Sequence, residues 1–382
     1  MAKRKRKSPS KFAKAAKSMP RAKKRVKSRN KLKEPFRNLD RDGITYSFLD
    51  KFVLCREQAR LDYVEGWTGD GIAVPLDFGI AFHECLEWVA SGKSVTQIRQ
   101  PVTKFYTSRR AKLNREDTKT LQLVMDMVKA VFPLYHDYWK ETDKGIKYVY
   151  QKESFKVMHK LPSGRTVPLR GRLDEVFRDT DGALVLQENK TKGQIDEQGI
   201  QASLHMDLQT MLYSYCLWKM TNEAPKRILY NVIRRPQLRQ KQTENERDFI
   251  RRIQDDVVSR PEHYFMRWKV DIKEQDLEDW TLRTLNPLLE TVVRWWESIK
   301  HSPFDPWDSP EHFISPSGLF TRYGRSGYFD VLTKGNYHGL YQRTPYTHEE
   351  TQPETETPKA ETNGNPKSAK TKSKGTKVRK RE

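Results

Sequence analysis

The chain has 382 residues, 36% of them hydrophobic, and its formal net charge is +22. It contains no run of 18 apolar residues, so no membrane-spanning helix is expected, and its three cysteines are too few for a disulfide framework. The length suits one large domain with a core of its own.

The excess charge is concentrated at the two ends of the chain. Residues 1–33 contain sixteen basic and no acidic residues, and residues 346–382 contain nine basic and six acidic ones. The body between them, residues 34–345, therefore carries only +3. Because both ends lack apolar periodicity, we expect a disordered basic arm over 1–33 and a disordered low-complexity tail over 346–382.

Three interpretations of the basic arm stay open. It can bind phosphate backbones by releasing counterions, it can be a nuclear localisation signal, or it can act as a solubility tail. The basic clusters at residues 3–7 and 21–25 fit the second interpretation. No apolar segment follows the charges, so a secretory signal is not expected.

The folded body begins with two predicted helices. An amphipathic segment runs from Tyr46 past Cys55, and Ser47 is suited to cap its first turn. The second helix is apolar and begins with Gly79-Ile-Ala-Phe-His83. A single histidine in an apolar helix is more often structural than a ligand, so His83 alone predicts no function.

Two short strands and a turn come next. Residues 165–177 and 183–190 are bounded by Pro, Gly and Asp, and residues 178–182 (Arg-Asp-Thr-Asp-Gly) predict a hairpin turn between them. Alternate residues of a strand share a face, so Glu188 and Lys190 point the same way and Asn189 points away. Pairing across the turn brings Asp174 to the same end of the sheet.

These residue types together suit metal-assisted phosphate chemistry. Two carboxylates, Asp174 and Glu188, provide the oxygen ligands that a hard divalent cation prefers. The ammonium of Lys190 can hold an attacking water or stabilise charge on a phosphate.

The elements that follow are a helix over 203–220, strands over 228–234 and 264–272, and an amphipathic helix over 275–300. Gln209 and Tyr213 are four residues apart in the first of these helices, so they lie on one helical face.

In order and spacing, Gly79-Xaa-Xaa-Xaa-His83, Asp174, Glu188-Asn189-Lys190 and Gln209-Xaa-Xaa-Xaa-Tyr213 resemble the RecB-like, phage-type exonucleases of the PD-(D/E)XK nuclease superfamily, which are related to CRISPR-associated adaptation exonucleases. The resemblance covers about residues 44–335. It implies an α/β fold, with a restriction-endonuclease-like core whose mixed central sheet is flanked by helices, plus helical additions.

The resemblance also implies a role for each motif residue. His83, Asp174, Glu188 and the backbone carbonyl of Asn189 are expected to bind one or two Mg²⁺ or Mn²⁺ ions. Lys190 is expected to position the attacking water. Gln209 and Tyr213 are expected to orient Lys190 and to hold the DNA backbone near the cut.

The sequence departs from this family in its cysteines. Many RecB-like exonucleases bind an iron–sulfur cluster through one cysteine near the first helix and three near the C-terminus. Cys55 suits the first position, but residues 315–329 contain no cysteine, and Cys85 and Cys216 fall on apolar helical faces. A cluster needs four thiolates, so none is expected, and apolar and aromatic packing should hold the C-terminal segment instead.

The sequence thus predicts a metal-dependent DNA exonuclease that acts on DNA ends or single strands in phage or mobile-element recombination, replication or repair. No nucleotide-binding glycine loop occurs, so a helicase or single-strand annealing partner would act separately. The expected location is the cytoplasm of a bacterial host, or the nucleus of a eukaryotic one. Two alternatives are a non-catalytic DNA-binding protein on a relic nuclease fold and an endonuclease of the same superfamily.

Overall fold

The computed structural model describes residues 35–69, 71–301, 311–321 and 324–343, which belong to one compact unit. The predicted arm over 1–33 and tail over 346–382 lie outside these residues. No helix in the described ranges is long and apolar enough to cross a membrane.

The first part of the chain is mainly helical. Its elements in chain order are α1 (Leu39–Asp42), β1 (Ile44–Thr45), α2 (Tyr46–Leu54), α3 (Arg56–Ala59), β2 (Trp67–Gly69), α4 (Val74–Ala90), α5 (Arg99–Arg110) and α6 (Arg115–Trp139). A π-helical turn, Arg60–Val64, continues α3, and a 3₁₀ turn, Val95–Gln97, precedes α5. The cap of α2 differs from the prediction, since Thr45 rather than Ser47 accepts the hydrogen bond from the Phe48 amide.

The central sheet is mixed, as predicted. Its strands are β3 (Lys147–Gln151), β6 (Glu175–Arg178), β7 (Leu184–Lys192), β8 (Arg227–Arg234) and β9 (Phe265–Asp271), and they are hydrogen-bonded in the order β3-β6-β7-β8-β9. Strands β7 and β8 are parallel, while the other neighbours are antiparallel. The predicted hairpin turn joins β6 to β7 and pairs Arg178 with Leu184.

A second sheet has the order β1-β5-β4, in which β4 is Ser154–Lys160 and β5 is Thr166–Arg172. The strand predicted over 165–177 is therefore two strands, because β5 belongs to this sheet and β6 to the central one. At the break, the Leu173 amide donates to the Glu153 carbonyl and the Lys152 amide donates to the Asp174 carbonyl, each at 2.8 Å. These bonds fix the crossover, the point at which the chain passes from β5 of the second sheet to β6 of the central sheet. They place Asp174 where the two sheets meet.

The second part of the chain supplies further helices: α7 (Glu197–Ser203), α8 (Leu208–Thr221), α9 (Glu246–Ser259), α10 (Pro261–Tyr264), α11 (Glu274–Trp280) and α12 (Asn286–His301). A π-helical turn, Thr281–Leu285, joins α11 to α12, so the predicted helix over 275–300 is present with this irregularity. The helix predicted over 203–220 begins later, because a 3₁₀ turn, Leu204–Met206, separates α7 from α8. The remaining elements are α13 (Pro316–Leu319), β10 (Phe320–Thr321), β11 (Gly324–Arg325), α14 (Phe329–Lys334) and β12 (Leu340–Gln342).

Helices cover both faces of the central sheet. Leu184 and Leu186 of β7 pack in one apolar cluster with residues of α2, α8 and α12. A second apolar cluster contains residues of α4, α6 and α9 together with Ile233 and Phe265 from the sheet. Because neighbouring residues of β7 point to opposite faces, Leu186 and Glu188 face the α8 side and Gln187 and Asn189 face the α6 side.

Candidate active site

Asp174 lies at the junction of the two sheets with both carboxylate oxygens in hydrogen bonds. Oδ2 accepts from the Asn189 main-chain amide at 2.9 Å, and Oδ1 accepts from the ammonium of Lys152. Burial opposes the charge of Asp174, but the charges of Lys152 and His83 and these hydrogen bonds keep its pKa below the ordinary value. Asp174 is therefore an ionised carboxylate held in one position.

Glu188 and Lys190 lie side by side, as their spacing on β7 predicts. Glu188 Oε1 accepts from Lys190 Nζ at 2.8 Å and from Gln209 Nε2 at 2.6 Å. Burial raises the pKa of Glu188, and the nearby Asp174 charge adds to that rise. The other oxygen, Oε2, is buried and has no hydrogen-bond partner. Such an atom is rare in a folded protein because leaving it unpaired is costly.

Helix α8 provides the support for this pair. Gln209 donates to Glu188 and accepts from Lys190, so its amide fixes both charged groups. The Asp207 side chain caps α8 by accepting from the Thr210 amide at 2.8 Å, which fixes where Gln209 enters the site. Tyr213 follows Gln209 by one turn of α8 and packs edge-on against the Phe155 ring, with ring centroids 5.5 Å apart. Its ring also lies edge-on to the Tyr46 ring, with centroids 6.5 Å apart.

His83 reaches Asp174 from α4. Its Nδ1 lies 3.6 Å from Asp174 Oδ1, and burial lowers the pKa of His83 to about 4, with a smaller lowering from Lys152. The imidazole is therefore neutral near pH 7, and its unprotonated ring nitrogen can accept a hydrogen bond or bind a metal. Gly79, one turn earlier, allows this approach, since a Cβ there would lie 2.8 Å from Thr191 Oγ1 on β7. This contact explains the spacing of the Gly-Xaa-Xaa-Xaa-His motif.

Asn189 contributes its main chain to the site and its side chain to the opposite face of the sheet. Its Oδ1 accepts from Gln187 Nε2 at 3.1 Å and from Asn231 Nδ2 at 2.6 Å. Asn231 also donates to the Tyr135 hydroxyl, and Arg267 donates to Asn231. This buried polar network anchors β7 from behind the site.

Two residues at the site were not predicted from the sequence. Lys152, between β3 and β4, has a side chain that is only 6% exposed and donates to Asp174. Tyr46, the first residue of α2, presents its ring to Lys190, with Nζ 5.9 Å from the ring centroid. Neither lies in a recognisable motif, and nothing local in the sequence distinguishes Lys152, which lies in the two-residue link between β3 and β4.

The donor set fits a hard divalent cation. One neutral imidazole and two carboxylates are available, and the unpartnered Glu188 Oε2 is an oxygen that such a cation would satisfy. Within the described ranges, however, no three His, Cys, Asp or Glu side chains converge as a complete metal cluster. The candidate ligands form two groups, which are His83 with Asp174 in one half of the site and Glu188 in the other half.

Cys55 lies away from these residues, against the C-terminal segment. It is buried, its thiol lies 4.0 Å from the Phe313 carbonyl oxygen, and a Cβ on Gly318 would lie 2.5 Å from Cys55 Cβ. Cys85 and Cys216 are buried in separate apolar clusters. Burial raises the pKa of both thiols, that of Cys85 to about 12, so both are protonated at neutral pH.

One of three comparisons with known proteins identifies a family. The family model described as "PD-(D/E)XK nuclease superfamily" matches residues 44–310. A solved structure described as "Crystal structure of SSO0001" is similar at 12% sequence identity, covering 72% of this chain and 96% of that chain, with a TM-score of 0.24. A search of curated proteins finds no match.

Proposed function

Since the chain belongs to the PD-(D/E)XK nuclease superfamily, we propose that it is a Mg²⁺- or Mn²⁺-dependent deoxyribonuclease that degrades DNA from ends or as single strands. The observation that carries the proposal is the buried Glu188 carboxylate, which is held by Lys190 and Gln209 through Oε1 and has an unpartnered Oε2.

We assign the metal to His83, Asp174, Glu188 and the main-chain carbonyl of Asn189. When bound, a divalent cation there would lower the pKa of a water and neutralise charge on the scissile phosphate. Asp174 is already ionised and fixed by the Asn189 amide, so it needs no rearrangement of its backbone to act as a ligand.

Lys190 is the group that would contact the reacting atoms. Its ammonium is held between Glu188 Oε1 and Gln209 Oε1, and the Tyr46 ring lies next to it. An ammonium has three donors, so the third proton can be directed at a water or a phosphate oxygen. Gln209 then acts as a positioning residue, and Tyr213 lies one turn further along α8.

We place the activity in phage or mobile-element DNA recombination, replication or repair, because the motif order resembles RecB-like exonucleases. A helicase or an annealing protein would be a separate partner.

The test is to incubate the purified full chain with end-labelled linear, circular and single-stranded DNA in Mg²⁺. Loss of linear substrates with intact circles supports an exonuclease, and cutting of circles would make the protein an endonuclease. Asp174→Ala, Glu188→Ala and Lys190→Ala should each slow cleavage at least ~100-fold, as loss of an electrostatic stabiliser does. If two of these variants kept wild-type turnover, the assignment would be wrong. No cleavage of any substrate together with DNA binding would favour the relic alternative.

A further inference from the structure

Lys152 is held beside Asp174 by an uncommon backbone conformation. Its φ is +54°, a left-handed value that side chains other than glycine rarely adopt and that costs conformational energy. Its amide donates to the Asp174 carbonyl at 2.8 Å. The lysine is therefore fixed at its main chain to the same residue that its ammonium contacts.

The ammonium of Lys152 contacts two candidate metal ligands at once. It donates to Asp174 Oδ1, and it lies 3.2 Å from His83 Nδ1. An ammonium has no acceptor, so His83 Nδ1 must accept this hydrogen bond. This is also the ring nitrogen that faces Asp174, at 3.6 Å from Oδ1.

A ring nitrogen has one lone pair, so His83 Nδ1 cannot accept from Lys152 and bind a metal at the same time. The carboxylate of Asp174 is less restricted, because each of its oxygens has more than one lone pair. Lys152 and a metal therefore cannot both occupy His83 Nδ1 at the same time.

We propose that Lys152 occupies the His83–Asp174 half of the site as a resident cation and that a divalent cation must displace it to bind. The inference rests on the metal-dependent function proposed above. Lys152 would thereby set the concentration of divalent cation at which the metal site becomes occupied.

The two lysines of the site differ in this respect. Lys190 uses Glu188 Oε1 and leaves Oε2 without a partner, so a metal can reach Glu188 while Lys190 stays in place. Lys152 leaves His83 Nδ1 no free lone pair. If the lysine occupies its position in nine of ten molecules, the apparent metal affinity falls about tenfold, since only the remaining fraction is competent to bind.

The experiment is calorimetric titration of the full chain with Mn²⁺ in the absence of DNA. Lys152→Met removes the charge and keeps the bulk, and Lys152→Gly removes the side chain and suits the positive φ. Lys156→Met, at an exposed lysine of β4, is the matched control. We expect both Lys152 variants to bind Mn²⁺ about tenfold more tightly than the wild type, and the control to be unchanged.

A second measurement follows the displaced lysine directly. In the wild type, acetylation of Lys152 by acetic anhydride, measured by mass spectrometry, should be faster with saturating Mn²⁺ than without it, because the buried ammonium is released. This measurement decides the question if both Lys152 variants fail to fold.

Equal or weaker Mn²⁺ binding by folded Lys152 variants would overturn the inference, as would unchanged acetylation. If the wild type binds Mn²⁺, Glu188→Gln weakens binding and DNA is cleaved, the proposed function stands and only the role of Lys152 fails. If the wild type neither binds Mn²⁺ nor cleaves DNA, both fail.

Discussion

Replacing Gln209 by alanine should slow DNA cleavage without unfolding the protein. The side chain makes two hydrogen bonds to charged groups: it donates to Glu188 Oε1 and accepts from Lys190 Nζ. A hydrogen bond to a charged group contributes about 1.5–3 kcal/mol. If the bond to Lys190 is needed to hold the ammonium in the transition state, its loss lowers kcat by about 10- to 150-fold.

The effect should appear in kcat more than in KM, because Gln209 contacts Lys190 and Glu188. The assay is steady-state cleavage of an end-labelled DNA with saturating Mg²⁺, together with thermal melting of the same preparations. Gln201→Ala, at an exposed glutamine of α7, is the control and should match the wild type. A Gln209→Ala variant with wild-type kcat, alongside an inactive Lys190→Ala, would show that Lys190 does not need Gln209 for its position.

Three further predictions concern parts of the fold outside the Glu188–Lys190 pair. Gly79→Ala should reduce activity because its Cβ would lie 2.8 Å from Thr191 Oγ1 and push His83 away, and adding Thr191→Ala should restore it in the same cleavage assay; no rescue would contradict this reason. Glu57→Gln should destabilise the fold by about 3–5 kcal/mol in urea unfolding at pH 7, since Glu57 is buried with Arg60 and His312. Burial opposes the charge of Glu57, but these partners lower its pKa in the folded state. The stabilisation from the Glu57 charge is therefore complete above the unfolded pKa of about 4.3 and is lost as pH falls further. A stability difference between wild type and variant that stays the same from pH 6 to pH 3.5 would refute this prediction. Deleting residues 1–33 should leave the melting temperature unchanged and lower the log–log salt slope of DNA binding by about 0.9 per lost phosphate contact, and an unchanged slope would reject the DNA-arm interpretation.

The sequence predicted the strands of the central sheet well where apolar runs and turn residues agree. Strand β8 is a nearly continuous apolar run, β7 begins with three apolar residues, and the hairpin before β7 has Asp-Gly at its end. The break after Leu173 was missed because it depends on main-chain hydrogen bonds to Lys152 and Glu153, twenty residues away, which no local pattern shows.

The motif residues could be chosen from the sequence because their types and spacing are specific. Their supporting contacts could not be, since these depend on packing between distant segments. Lys152 shows this difference most clearly, because it is an ordinary lysine in the sequence and becomes a site residue only where the two sheets cross. The predicted start of α8 differs from the observed one for a local reason, since the Asp207 side chain caps the helix and so marks its first residue as Leu208.

The alternation of β7 also protects the protein against one kind of folding error. In the observed register, Glu188 and Lys190 contact Gln209 of α8, while Gln187 and Asn189 hydrogen-bond to each other on the opposite face, where Asn189 also contacts Asn231. A shift by one residue would exchange the two sets and bury the charged pair among partners that suit amides. Mispaired chains would thus lose stability and activity together, so a folded population with a scrambled site should not accumulate. For this strand, the molecules that fail to fold stably are therefore the same molecules that would lack activity.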